Sequence, residues 1–384
     1  MSACPGAFIG WRIVARVAAL CLLLASTIVA SAQTPRQTQS PPPAAAPPNA
    51  AAERLNENTV TIISGNPNGT YLQIAYDMAA VLDDGDNLRV LGVIGKGGMQ
   101  NVRDVRMLKG IDLGLTQSNV LSYFRRTNEI GPIDGKIVYI ARMFTEEMHI
   151  VVRSDITAIE QLRGKRVNLS DFGSGTYFSG RDVLERLGLQ VEVVSMGQAD
   201  AFEAMRRGDL AASVLVAGRP AGAIAGLKSA DGFRILPVPY DKALQADYLP
   251  STLTNTDYPR LIAPDQTVDT IAVSTVLVAY NWPKGTDRYR RIEKFVDAFF
   301  NKIEEFRKPP RHPKWQEVNL AAVLPDWTRF PAAQEWLQRN AAGRSVQGGG
   351  DQTGMVRPAV GGQQLGSDDQ QRLFEEFLKW RSRR

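Results

Sequence analysis

The sequence predicts an α/β protein of two lobes, each an open, mostly parallel sheet, joined by a hinge. Three observations point to it. From Thr59 onward, short β-branched runs alternate with amphipathic stretches, the rhythm of a sheet flanked by helices. The rhythm restarts near Arg166. Two apolar runs, Met148 to Arg153 and Ile271 to Tyr280, stand where a chain would cross to a second lobe and return.

Taken in order, Arg12 and Arg16 precede the apolar run Val17 to Ala30, which closes on Ala30-Ser31-Ala32. That layout predicts a secretory leader over residues 1–32, cut before Gln33. The alternative is an uncleaved N-terminal anchor, for which the run is short. Leu20 stands before Cys21 where a lipoprotein would carry a small residue, so no lipid is expected there. Residues 33–58 contain Pro41-Pro42-Pro43 and Pro47-Pro48, a density that predicts a disordered or polyproline tether.

Lobe 1 is expected over 59–147, with strands Thr59 to Ser64, Leu88 to Ile94 and Ile111 to Thr116, and helices Thr70 to Leu82 and Met99 to Lys109. Lobe 2 is expected over 148–265, with strands Arg166 to Leu169, Val191 to Ser195 and Ala211 to Val216. Its helices are Thr176 to Leu187, Gln198 to Arg207 and Ala221 to Ser229. Residues 266–340 are expected to return to lobe 1 and to form C-terminal helices. There Tyr289, Ile292, Phe295, Val296, Phe299, Ile303 and Phe306 recur at helical spacing, and Pro309-Pro310 stops the helix. Residues 341–384 read as a glycine-rich segment and a last amphipathic helix.

Composition removes several function classes. Both cysteines, Cys4 and Cys21, fall inside the leader, so no disulfide is expected in the mature chain. The formal net charge of +5 loses two with Arg12 and Arg16, and the basic residues are spread among acids, which is no nucleic-acid footprint. The only histidines, His149 and His312, offer no paired metal ligands, and Asp83, Asp84 and Asp86 do not continue into a calcium loop. Neither a Gly-x-Ser-x-Gly elbow nor a nucleotide-hydrolase phosphate loop is present. No cofactor and no catalysis are expected.

What remains is a set of three loops rich in glycine and small polar residues: Ser64 to Tyr71, Gly95 to Asn101 and Ser170 to Tyr177. In open α/β sheets, ligands bind beyond the strand carboxyl ends, where such loops feed helix N-termini. Glycine lets the backbone approach a ligand, and free amides at a helix start favour a carboxylate or phosphate. Taken alone, each loop is more often only a turn. Together they nominate Asn66, Gly69, Thr70, Tyr71, Gly97, Gly98, Gly173, Ser174, Gly175 and Thr176. Gln117 and Ser118 follow a strand on the same rim. Arg219 is the best-placed cation, either gripping a carboxylate or forming a surface ion pair, and Tyr71 either touches ligand or packs in the core.

Taken together, the succession Ser64-Gly65-Asn66-Pro67-Asn68-Gly69-Thr70-Tyr71, Gly97-Gly98-Met99-Gln100-Asn101 and Gly110 to Ser118 resembles the TAXI family of TRAP-transporter solute receptors. Leu162 to Leu169, Gly173-Ser174-Gly175-Thr176, Gly208 to Ala212 and Gly218-Arg219-Pro220-Ala221-Gly222 continue the likeness in order. The sequence departs from that family at Asn66-Pro67-Asn68 and at Arg219. The resemblance implies a two-lobed periplasmic binding protein of type II, delivering an organic acid or amino acid to an ion-coupled permease. It places ligand contacts on the glycine loops, Tyr71, Gln117, Ser118, Ser174 and Thr176. A periplasmic sensor with a signalling partner, and an enzyme using carboxylates on the same frame, remain the alternatives.

Overall fold

The computed structural model describes residues 50–347 apart from Asn68 and Asp86. The expected leader, the proline block of the tether and everything beyond Gln347 lie outside the described residues.

Helix α1 (Ala50–Glu57) comes first, then β1 (Thr59–Ile63), α2 (Thr70–Leu82), β2 (Arg89–Val93), α3 (Gly98–Met107), β3 (Leu113–Gln117) and α4 (Ser118–Thr127). The long strand β4 (Ile137–Arg153) leads into β5 (Arg166–Asn168), α5 (Gly175–Arg186), β6 (Glu192–Val194), α6 (Gln198–Arg207), β7 (Ala212–Ala217), α7 (Gly222–Ala225), β8 (Phe233–Leu236) and β9 (Leu249–Thr254). A second long strand, β10 (Thr267–Tyr280), precedes α8 (Asp287–Asn301), α9 (Ile303–Phe306) and α10 (Pro331–Gln347).

The strands lie in the order β2-β1-β3-β10-β4-β7-β5-β6, with β8 on β4 and β9 on β10. Lobe 1 holds parallel β2-β1-β3 and lobe 2 holds parallel β7-β5-β6. The antiparallel pair β4 and β10 runs through both lobes, so hydrogen bonding is continuous across the hinge. The two expected sheets thus share their hinge strands in one ten-stranded ladder. Its register slips between Ser274 and Val276 and again between Leu277 and Val278. Such irregularities add twist and bend a strand, here near the junction of the lobes.

Each lobe has a core on both faces of its sheet, which is why the strands read as nearly unbroken apolar runs. On β4, Val138 and Ile140 join one lobe 1 core while Ile137 and Tyr139 join the other. Farther along, Ile150 and Val152 enter one lobe 2 core and Val151 the opposite one. This is the period-two alternation of a strand.

Several expectations need correction. The tether's last residues, Ala50–Glu57, are helical, because beyond Pro48 the composition turns to strong helix formers. Helix α4 is new: Val120, Leu121 and Phe124 give it a buried face although it starts directly from β3. The expected helix Ala221 to Ser229 shrinks to α7, since Gly222 and Gly226 bracket it and leave little apolar surface. The aromatic stripe divides between α8 and α9 at Lys302. Strands β8 and β9 had no sequence expectation, and residues 341–347 continue α10 rather than forming loop.

Candidate ligand-binding site

The site is built at the carboxyl ends of β1, β2, β3 and β5, each of which turns into a helix start. Gly69, Gly97 and Gln117 precede α2, α3 and α4, and none of them caps its helix with a side chain, so first-turn amides keep their capacity for other acceptors. Across the hinge Ser174 precedes α5, and its hydroxyl accepts from the Tyr177 amide at 3.0 Å.

These four helix starts converge on one cavity of about 40 Å³. Lobe 1 lines it with Gly65, Asn66, Gly69, Thr70, Tyr71, Lys96, Gly97, Gly98 and Gln117, and lobe 2 with Ser170, Ser174, Gly175, Thr176 and the end of β7. The structure therefore brings together Asn66, Gly69, Thr70, Tyr71, Gly97, Gly98, Gln117, Ser174, Gly175 and Thr176, as the loop pattern expects.

Three nominated residues are placed elsewhere. Ser118 opens α4, and its carbonyl accepts from Ser122. Gly173 stands just outside the gap, with its carbonyl accepting from the Gln100 amide of the opposite lobe at 3.2 Å. Arg219 faces away: its Nε lies 3.7 Å from Glu147 and 3.8 Å from Asp257, and its guanidinium also donates to the Thr252 carbonyl. Of the two roles open to Arg219, the structure shows the ion pair.

The lobes touch tightly around the gap. A Cβ built on Gly98, whose φ is +44°, would stand 2.4 Å from the Gly175 backbone. Only glycine at that position permits the approach. Thr70 Oγ1 donates to the Gly218 carbonyl at 3.3 Å, again between lobes. Asn101, fully buried, donates through Nδ2 to the carbonyls of Ile63, Ser64 and Leu115, tying the ends of β1 and β3 to α3.

Sequence reasoning missed Glu146, in the middle of β4. It lines the cavity at 3% exposure. Tyr71 OH donates to its Oε2 at 2.6 Å and Gln117 Nε2 donates to the same oxygen at 3.1 Å. Gln117 is itself set by lobe 2, because Ser179 Oγ donates to its Oε1 at 2.9 Å. Asn119 extends the chain, donating to Ser179 at 2.9 Å and to Tyr248 at 3.0 Å. Burial raises the Glu146 pKa from 4.5 to about 7, against the lowering effect of its hydrogen bonds from Tyr71 and Gln117. Burial first, then the neighbouring Glu146, also pushes the Tyr71 phenol well above its ordinary value. The signal for Glu146 was a pair of adjacent acids, Glu146-Glu147, inside a long and mostly apolar run.

His149 has no chemistry to offer. Its Nδ1 lies 3.2 Å from the Leu215 carbonyl and its Nε2 lies 2.7 Å from Tyr258 OH, and burial lowers its pKa to about 4. A neutral ring donating to Leu215 and accepting from Tyr258 satisfies both nitrogens.

The description "NMT1-like family" matches residues 62–306, well over half of the chain. The chain belongs to the NMT1-like family. Among similar solved structures is one described as a periplasmic transporter, at 13% identity and TM-score 0.47, covering 76% of this chain and 96% of that one. A histidine-bound ABC uptake transporter substrate-binding protein from Streptococcus pneumoniae matches at 13% identity and TM-score 0.42, over 67% of this chain and 91% of its own. An ancestral arginine-binding protein bound to arginine matches at 17% identity and TM-score 0.39, over 68% and 97%. This NMT1-like chain is itself a mixed α/β molecule, with two groups of parallel strands on one shared sheet.

Proposed function

We propose that this NMT1-like chain is an exported solute receptor that closes on a small carboxylate-bearing molecule and hands it to a membrane permease of the TRAP type, catalysing nothing itself. The observation that carries the reading is the convergence on a single gap of glycine turns from both halves of a hinged molecule, together with the uncapped starts of α2 and α3 in lobe 1. Backbone amides and helix dipoles suit an anionic group, and no arginine lines this gap among the described residues. The TAXI resemblance supports the TRAP partner, and the leader read from residues 1–32 supports export. Among the described residues no helix is long and apolar enough to cross a membrane.

A cavity of about 40 Å³ has room for about two or three water molecules. A solute larger than that enters with the lobes apart and widens the gap as they close. A thermal-shift panel of dicarboxylates, 2-oxoacids and amino acids tests the reading, since a ligand that binds only the folded state raises Tm by mass action. Acids are expected to raise Tm at millimolar concentration and uncharged amides of the same skeleton are not. A flat response across the panel contradicts the receptor reading.

A further inference from the structure

We infer that Glu146 is the specificity-determining residue of the gap, the counter-charge for an amine on the ligand, so that an amine-bearing solute is selected over its deamino counterpart. The inference rests on the receptor reading above and narrows it.

Two consecutive glutamates, Glu146 and Glu147, stand on β4 at the hinge. Strand alternation sends their side chains to opposite faces of β4. Glu147, fully buried, is neutralised by Lys314 Nζ at 2.7 Å and flanked by Arg219 at 3.7 Å. Glu146 is almost as buried, yet among the described residues no lysine, arginine or histidine stands within ion-pair distance of it. Its neighbours are the uncharged donors Tyr71 from α2 and Gln117 from β3 and the uncharged Thr275 of β10, with the Glu147 charge adjacent along the chain. Lys96, the one cationic side chain that lines the same gap among the described residues, is exposed.

A buried carboxylate costs free energy unless a positive partner or several hydrogen bonds offset it. Here two donors share Oε2, and a carboxylate has about four acceptor positions. The gap therefore holds a polarised acceptor without a counter-ion, opposite helix starts that favour a negative group. An ammonium on the ligand would supply the missing charge, while its acidic end lay against the helix starts. A ligand without the amine would leave Glu146 to be protonated or to repel it. The raised pKa of Glu146 fits a carboxyl kept ready for a cation that arrives with the solute.

The test uses the whole chain and paired probes: L-alanine with propionate and L-glutamate with glutarate, titrated calorimetrically at pH 8 and pH 5. Wild type is expected to bind the amine of a pair at least tenfold more tightly at pH 8. That preference should narrow at pH 5, as protonation of Glu146 removes its charge. Glu146→Gln keeps the acceptor for Tyr71 and Gln117 but removes the charge, and is expected to bring the pair within about twofold of each other at both pH values. Wild-type binding that ignores the amine, or a preference that survives in Glu146→Gln, overturns the inference and leaves the receptor reading intact. Absence of binding by every probe and by the wider acid panel overturns both. The wild-type comparison needs no variant, so poor folding of Glu146→Gln would not shelter the inference.

Discussion

Glu146 and Glu147 are chemically identical neighbours that the fold treats in opposite ways, one facing the gap and hydrogen-bonded to neutral donors, the other locked to Lys314. The difference has a consequence for stability. The folded pKa of Glu146 is raised from 4.5 to about 7, so the folded state binds its proton more strongly than the unfolded chain does. Its contribution is most favourable below about pH 4.5 and is lost as pH rises through 7, a penalty on the order of 3 kcal/mol at most. Glu146→Gln removes that penalty. Urea denaturation should show the variant gaining stability over wild type at pH 8 and little at pH 4.5; an equal difference at the two pH values would contradict the buried-carboxyl account. His149 works the other way, since its pKa falls to about 4: its contribution is present above the unfolded value of 6.5 and lost as pH drops toward 4. At this scale the sequence revealed residue types better than roles. The glycine loops named most of the lining, but Arg219 had two plausible fates that only the position of Glu147 and Asp257 decides. Glu146 was hidden because a carboxylate in a strand carries no motif.

The glycine turns matter as elements because they let helix starts of opposite lobes come into backbone contact. Gly98→Ala places a methyl group against Gly175 in a conformation, φ +44°, that alanine resists. Each lobe has its own cores, so the variant is expected to fold, with unchanged far-UV circular dichroism. It should bind the acid that gives the largest thermal shift at least tenfold more weakly, and its radius of gyration in saturating ligand should stay above that of wild type. Equal affinity and an equal radius would mean that the contact between Gly98 and Gly175 plays no part in closure. Strand-helix units with apolar runs bounded by glycine were legible from periodicity: α2 and α6 begin and end where the pattern places them. Elements defined by their partners were not. Strand β9, Leu249 to Thr254, is half polar and exists because β10 pairs with it; α4 follows β3 without an intervening turn. The turn at Pro313–Glu317 also escaped the sequence, yet it carries Trp315, fully buried and donating to Asp77 at 2.8 Å, and Lys314 beneath the hinge. Removing one partner of such a buried ion pair typically costs about 3–5 kcal/mol.

Across the whole molecule, β4 and β10 are the shared spine, paired with lobe 1 strands at one end and lobe 2 strands at the other. A hinge of two strands permits one lobe to swing on the other while each retains its cores, which is what capture by closure requires. The chain after β10 returns to complete lobe 1: Phe299, Phe306, Trp315 and Phe330 fill the same core as Val60 and Ile62. That fold class was legible because the rhythm of strands and helices occurs twice and two apolar runs separate its halves. The size of the closed gap was not, since it depends on how far the loops of one lobe interleave with those of the other. Central to all of this is that both lobes present their glycine turns to one solute at once. Hydrogen exchange of the full chain, with and without the acid that raises Tm most, measures that directly. Amides of residues 65–71 and 96–98 in lobe 1 and 173–176 in lobe 2 should gain protection together at the same ligand concentration. Protection confined to one lobe, or binding with no protection in these turns, would contradict the account.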